Sequence, residues 1–196
     1  MKQAKKNGLK SMIMLGFLLA SMGMVCPGEA APDRKFMATA GVNVFQPSSS
    51  AYRAIYGETA VMPEIKLTYK MIKNFTLWGG FGLFSKQGFI EEVAEEAEIR
   101  QNFFGIGVGY AHKLSAKLRL RGEIGLIYIT FSEKALQMVQ KGSGLGWKLG
   151  ADLDYFIGKK LFVTLAANYS AASDNVETGK IDLGGFQAGL GLGFAF

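Results

Sequence analysis

The segment 180–196 constrains the fold more than any other part of the chain. It alternates with period two. Phe186, Ala188, Leu190, Leu192, Phe194 and Phe196 fall on one face, and Gly185, Gln187, Gly189, Gly191, Gly193 and Ala195 on the other. That period belongs to a β-strand, whose successive side chains leave opposite faces. One face is bulky and apolar, and the other is nearly bare. A soluble strand gains little from a row of glycines, each of which costs backbone entropy. The row has a use where the inner face is crowded and the outer face meets lipid, as in a transmembrane barrel.

Seven earlier segments alternate in the same way: 35–45, 61–71, 75–84, 99–111, 117–131, 143–156 and 161–170. With the last they make eight, and each has about the 9–11 residues that a tilted strand needs to cross a bilayer. The connections alternate in length. Those at 72–74, 112–116 and 157–160 are short, and those at 46–60, 85–98, 132–142 and 171–179 are long. Short periplasmic turns and longer outside loops are the construction of bacterial outer-membrane barrels. In that topology Phe36, Tyr69, Phe75, Tyr110, Tyr155, Phe194 and Phe196 sit near the periplasmic ends of the strands. Tyr128, Trp147, Tyr169 and Phe186 sit near the outer ends. Two aromatic girdles thus emerge at the two expected interfaces. A soluble barrel of lipocalin type shows the same alternation with its faces swapped, apolar in and polar out. The bare polar face, the girdles and the loop asymmetry favour the membrane form.

The first thirty residues are of another kind. Lys2, Lys5, Lys6 and Lys10 precede an uncharged apolar run over 11–25, and Gly28 and Ala30 place small residues before Ala31. This is the pattern of a cleaved secretory signal, and the apolar run is short for a membrane span. The expected division is a signal peptide at 1–30 and a barrel domain at 31–196. Without the signal's four lysines and Glu29, the 22 basic and 16 acidic residues fall to 18 and 15, a net +3. The basic character of the whole chain is then largely the signal's, and it carries no nucleic-acid inference. Cys26 leaves with the signal, so the mature chain has no thiol for disulfides or cysteine-based metal sites.

From 31 to 196 the chain resembles the small eight-stranded outer-membrane β-barrels, the OmpA/OmpX-like and OmpW-like group. Its ending, with Leu190, Leu192, Phe194 and Phe196 at alternate positions, is similar to that group's C-terminal targeting signature. The resemblance implies an all-β, eight-stranded antiparallel up-and-down transmembrane barrel. It also implies recognition by the outer-membrane barrel assembly machinery and residence among outer-membrane lipids.

Catalytic chemistry finds little to use. His112, the only histidine, falls at an expected periplasmic turn, and zinc sites need several His or Cys ligands. The Gly-x-Gly runs at 105–109 and 189–193 have the strand period, so they read as gaps facing the lumen and not as phosphate cradles. No catalytic residue, metal or cofactor is expected. The acidic stretch 91–98, with Glu91, Glu92, Glu95, Glu96 and Glu98, reads as a solvated outer loop with the spacing of a short helix. Its sharper reading is contact with a divalent cation or a basic partner.

The lumen face is the richest in chemistry. It carries Glu64, Lys66, Lys70, Arg119, Arg121, Glu123, Lys148, Asp152 and Asp154. Lone charges in a narrow interior are costly, so these are expected to pair as an internal plug, with Arg121 beside Asp152 and Asp154. The expected role is non-enzymatic: envelope structure, or contact with an extracellular ligand through the outer loops. The alternatives are passive passage of small or hydrophobic molecules and, more remotely, lipid modification.

Overall fold

The computed structural model describes residues 34–90, 95–135, 138–176 and 179–196. The expected signal segment lies outside them. The strands are β1 (Phe36–Pro47), β2 (Ala60–Lys70), β3 (Phe75–Ile90), β4 (Glu95–Lys113) and β5 (Leu118–Ala135). They continue with β6 (Met138–Phe156), β7 (Leu161–Val176), β8 (Gly179–Asp182) and β9 (Gly185–Ala195). One helix, α1 (Ser50–Tyr56), lies between β1 and β2. Strands β1 to β7 each pair antiparallel with the next, β7 pairs with β9, and β9 returns to β1. Eight strands therefore close a barrel, and full closure leaves no wall strand with a free edge. The ninth, β8, pairs only with the outer end of β7.

The faces divide by chemistry. The outward row includes Val42, Ile65, Leu77, Ile106, Ile124, Leu149 and Leu190, each at least 40% exposed. Among the described residues, no outward-facing wall residue between the girdles is charged. A soluble barrel cannot present such a belt to water, whereas lipid is its natural solvent. The periplasmic girdle is knitted by rings: Phe36 lies 4.8 Å from Tyr69 and Phe75 lies 5.4 Å from Tyr110. At the outer girdle Trp147 lies 5.7 Å from Tyr169. The register extends that girdle, since Phe81 faces Phe104 and Phe104 faces Tyr128 across neighbouring strands.

The wall is taller at the outer end than the period-two reading indicates. The pairing of β3 with β4 continues to Ile90 and Glu95, and that of β5 with β6 to Ala135 and Met138. The helix expected within 91–98 is not formed where the chain is described. Glu95, Glu96 and Glu98 lie in β4, with Ala97 buried between Glu96 and Glu98 and Ile99 buried just after them. Glu91 and Glu92 lie outside the described residues. A helix of one or two turns is marginal on its own, while the edge of β3 offers an antiparallel ladder of backbone hydrogen bonds. Arg100 also pairs with Glu98 at 2.7 Å across the solvated surface. The terminal segment is likewise two strands, not one, broken at 183–184.

The helix α1 was not expected in the 46–60 connection. Ser49 caps it by accepting from the Tyr52 amide, and Gly57, at φ 83°, ends it. It lies on the upper part of β3, where Gly88 gives it room. A Cβ at 88 would overlap the Ile55 carbonyl and come within 2.7 Å of the Tyr56 ring. Arg53 ties the helix down by donating to the carbonyls of Pro47 at 2.7 Å and Ser48 at 3.1 Å. The Tyr56 hydroxyl donates to Glu133. Burial pushes the hydroxyls of Tyr52 and Tyr56 well above the usual tyrosine range, so both stay protonated.

Candidate functional site: the charged lumen

The lumen is layered. At the periplasmic end Met37, Phe156, Phe162 and Ala195 form a small apolar floor. At the outer end Phe45, Met62, Phe84, Phe103, Ile129 and Phe131 form a larger apolar cap, which Tyr56 of α1 completes. Charged side chains occupy the layer between. Period-two reading missed both apolar layers. Near the strand ends bulky apolar residues occupy both faces, so alternation no longer says which of them point inward.

Register explains the bare face of the strands. Across the ladders Lys66 faces Gly80, Glu64 faces Gly82 and Gly41, Glu123 faces Gly109 and Gly150, and Lys148 faces Gly125. Each of these four long charged side chains thus has a glycine beside it in the ladder, which helps eight inward rows fit in a narrow interior. Glycine also makes the bed for Trp78, which is 1% exposed. A Cβ at Gly125 would come within 2.6 Å of that indole, and one at Gly105 within 2.8 Å.

Arg121 and Asp152 are the hub, both fully buried. They face each other across β5 and β6, and Arg121 Nη2 donates to Asp152 Oδ2 at 2.6 Å. The same nitrogen lies 3.5 Å from Asp154 Oδ1, and Nε lies 2.9 Å from Glu123 Oε1. Lys66 reaches across from β2 to bridge Glu123 at 2.8 Å and Asp152 at 2.5 Å. Thr164 donates to Asp154 at 2.8 Å, and Thr68 accepts from Arg121 at 3.2 Å. One layer further out, Lys148 pairs with Glu64 at 2.8 Å, and Asn43 donates to the other oxygen of Glu64 at 2.6 Å. Lys148 also lies 5.4 Å from the centre of the Trp78 ring, within cation–π range. Below the hub the Arg119 guanidinium sits 4.8 Å from the Phe156 ring and donates to Met37 Sδ at 3.1 Å.

The layer thus joins Lys66, Arg119, Arg121 and Lys148 with Glu64, Glu123, Asp152 and Asp154, four charges of each sign. Lys70 lies at the periplasmic end of β2. Such a set is stable only when each charge is paired and hydrogen-bonded, and it resists the loss of any single member. Two cavities along the lumen each offer about 20 Å³, room for about one water. The polar residues that sequence reasoning did not single out are Asn43, Thr68 and Thr164. Their position on the inward row is the signal that marks them.

His112 is exposed at the end of β4. Among the described residues no group of three or more His, Cys, Asp or Glu is placed to hold a metal ion. All of the girdle residues point outward on the wall. Phe196 stacks on Phe36 at 5.9 Å, and the two exchange backbone hydrogen bonds that tie the last strand to the first.

The model of the outer membrane protein beta-barrel domain family matches residues 15–194. No curated protein sequence matches the chain. Several solved structures share its fold. Neisserial surface protein A (NspA) is 12% identical over 82% of this chain and 97% of that one, with a TM-score of 0.66. OprG from Pseudomonas aeruginosa is 18% identical over 86% and 98%, with a TM-score of 0.61. The attachment invasion locus protein Ail of Yersinia pestis, in complex with the heparin analogue sucrose octasulfate, is 13% identical over 83% and 100%, with a TM-score of 0.52. At such identities the likeness is one of fold.

Proposed function

The chain belongs to the outer membrane protein beta-barrel domain family, and from that premise we propose that it is a closed, non-enzymatic outer-membrane barrel. It works through its outward hairpins, in envelope structure or in contact with an extracellular ligand. The observation that carries this reading is the filled lumen, in which a charge layer with four groups of each sign lies between an apolar floor and an apolar cap. The chain beyond the outer girdle is instead built up, with two tall hairpins, β8 and α1. The fold's likeness to Ail, an attachment protein, supports a surface role without specifying the ligand.

Liposome swelling tests the reading. Vesicles carrying the refolded protein are expected to admit sugars, amino acids and an apolar dye no faster than protein-free vesicles. Rapid entry of any of them would favour the passive-transport reading instead.

The assembly partner belongs to the same proposal. Leu190, Leu192 and Phe194 face outward on β9, the strand that closes the barrel against both β1 and β7, and Phe196 is exposed just past its end. The barrel assembly machinery is proposed to read this edge. Phe196→Lys is expected to leave the chain in the periplasm, seen as loss of the heat-modifiable band from outer-membrane fractions. Normal folded yield would remove the signature from the account.

A further inference from the structure

The short-turn end of the barrel carries a pattern that the lumen does not explain. Four segments of chain meet there, and each brings two bases. Arg34 and Lys35 precede β1, and Lys70 and Lys73 flank the β2–β3 turn. Lys113 and Lys117 flank the β4–β5 turn, and Lys159 and Lys160 lie in the β6–β7 turn. Six of the eight are exposed, and Lys70 and Lys117 are half-buried. Among the described residues this end has no Asp or Glu. At the opposite end bases and acids are mixed, as in the pairs Arg53–Glu58 and Arg100–Glu98. An excess of bases over acids is therefore a local property of this end.

Height decides what the rim meets. The bases stand just beyond the periplasmic girdle: Lys35 next to Phe36, Lys70 next to Tyr69, Lys73 two residues before Phe75. Lys160 Nζ lies 5.7 Å from the centre of the Phe194 ring. Aromatic girdles mark the boundary between hydrocarbon and headgroups. Lysines with long apolar stems, one step past that boundary, put their ammonium groups at the level of the lipid phosphates. Between β1, β2 and β4 the rim also opens into a shallow recess lined by Arg34, Lys35, Lys70, Lys73, Lys113 and Arg119.

We propose that this basic collar is a binding surface for anionic phospholipid headgroups of the inner leaflet, of the phosphatidylglycerol type. It ranks lipids by headgroup charge, as the belt above it ranks them by nothing but chain. Bound lipid phosphates neutralise the collar and anchor the barrel at its periplasmic end. The proposal rests on membrane placement and is independent of whether the outer hairpins bind a ligand.

The test uses protein purified from outer membranes and reconstituted in phosphatidylcholine vesicles with a minority of phosphatidylglycerol. Electron spin resonance of spin-labelled lipids measures the fraction of each lipid held at the protein surface. The expected result is a preference for phosphatidylglycerol of about threefold at low salt, fading at high salt. The variant Lys35→Gln/Lys73→Gln/Lys117→Gln/Lys160→Gln is expected to lose most of that preference. The outer-end variant Lys134→Gln/Lys141→Gln is expected to keep it. Heat-modifiable gel mobility selects the folded fraction of each, and Lys73→Gln/Lys160→Gln replaces the quadruple change should that fail to fold. Equal association of both lipids with the unmodified protein would overturn the proposal. So would a preference that survives the collar variants, or one lost equally from the outer-end variant. Abolition of the preference by inorganic phosphate at matched ionic strength would reassign the collar to a free anion.

Discussion

Arg121→Ala is expected to destabilise the folded barrel by about 3–5 kcal/mol, and adding Asp152→Ala to recover part of the loss. Arg121 holds three carboxylates at once, those of Asp152, Asp154 and Glu123. Its removal leaves four buried negative charges against three positive ones, with almost no water to screen the difference. Lys66 still holds Asp152 and Glu123, and Thr164 still donates to Asp154, so the residual field is tempered but not cancelled. Removing Asp152 as well restores three of each sign. Lys66 then serves Glu123 alone, and Lys148 remains with Glu64. The sign of the second effect is the discriminating part. Urea titration of the heat-modifiable band in lipid vesicles reads it directly. A double variant less stable than the single one would mean that the two side chains contribute independently, and the network would not be a unit.

The second large effect concerns the lipid face. Leu149→Arg is expected to cost about 2–4 kcal/mol, the penalty of a cation inside the apolar band of a membrane barrel. Leu149 is 54% exposed on the wall, faces Ile124 on β5 and Tyr169 on β7, and lies between Trp147 and Tyr155 on its own strand. None of these neighbours carries a carboxylate to pair with a guanidinium. One residue earlier, Lys148 is 6% exposed and belongs to the lumen network. A nitroxide at 149 should be broadened by a lipid-soluble relaxation agent, and one at 148 should not. Reversed accessibility would turn the barrel inside out and support a soluble one.

The strands and their register were legible because the physics there is local and repeated. In 117–131 and 143–156 one face is apolar and the other charged, so the period alone assigns inside and outside. The connection at 132–142, with its outer ends meeting near Phe131 and Ser143, then sets which residues meet. That is why Arg121 and Asp152, far apart in the chain, could be placed beside each other from sequence. The missing parts depend on contacts that the period does not carry. Seven residues of α1 do not make a helix by propensity. They form one because Gly88 leaves room on β3 and Glu133 receives the Tyr56 hydroxyl. The acidic stretch lost its helical spacing to the edge of β3, a partner that only the tertiary fold provides. The inward aromatics Phe45, Phe103, Phe156 and Phe162 lie where both faces of a strand are apolar. Their burial follows from closure of the wall, not from alternation.

The central claim is that the lumen is sealed by a paired charge layer between two apolar ones. Planar-bilayer recording of the refolded protein tests it most directly. The unmodified barrel is expected to show no steady conductance, and Arg121→Ala to show brief, irregular openings as the layer loses its hub. A steady, large conductance from the unmodified protein would contradict the sealed lumen and make the barrel a pore.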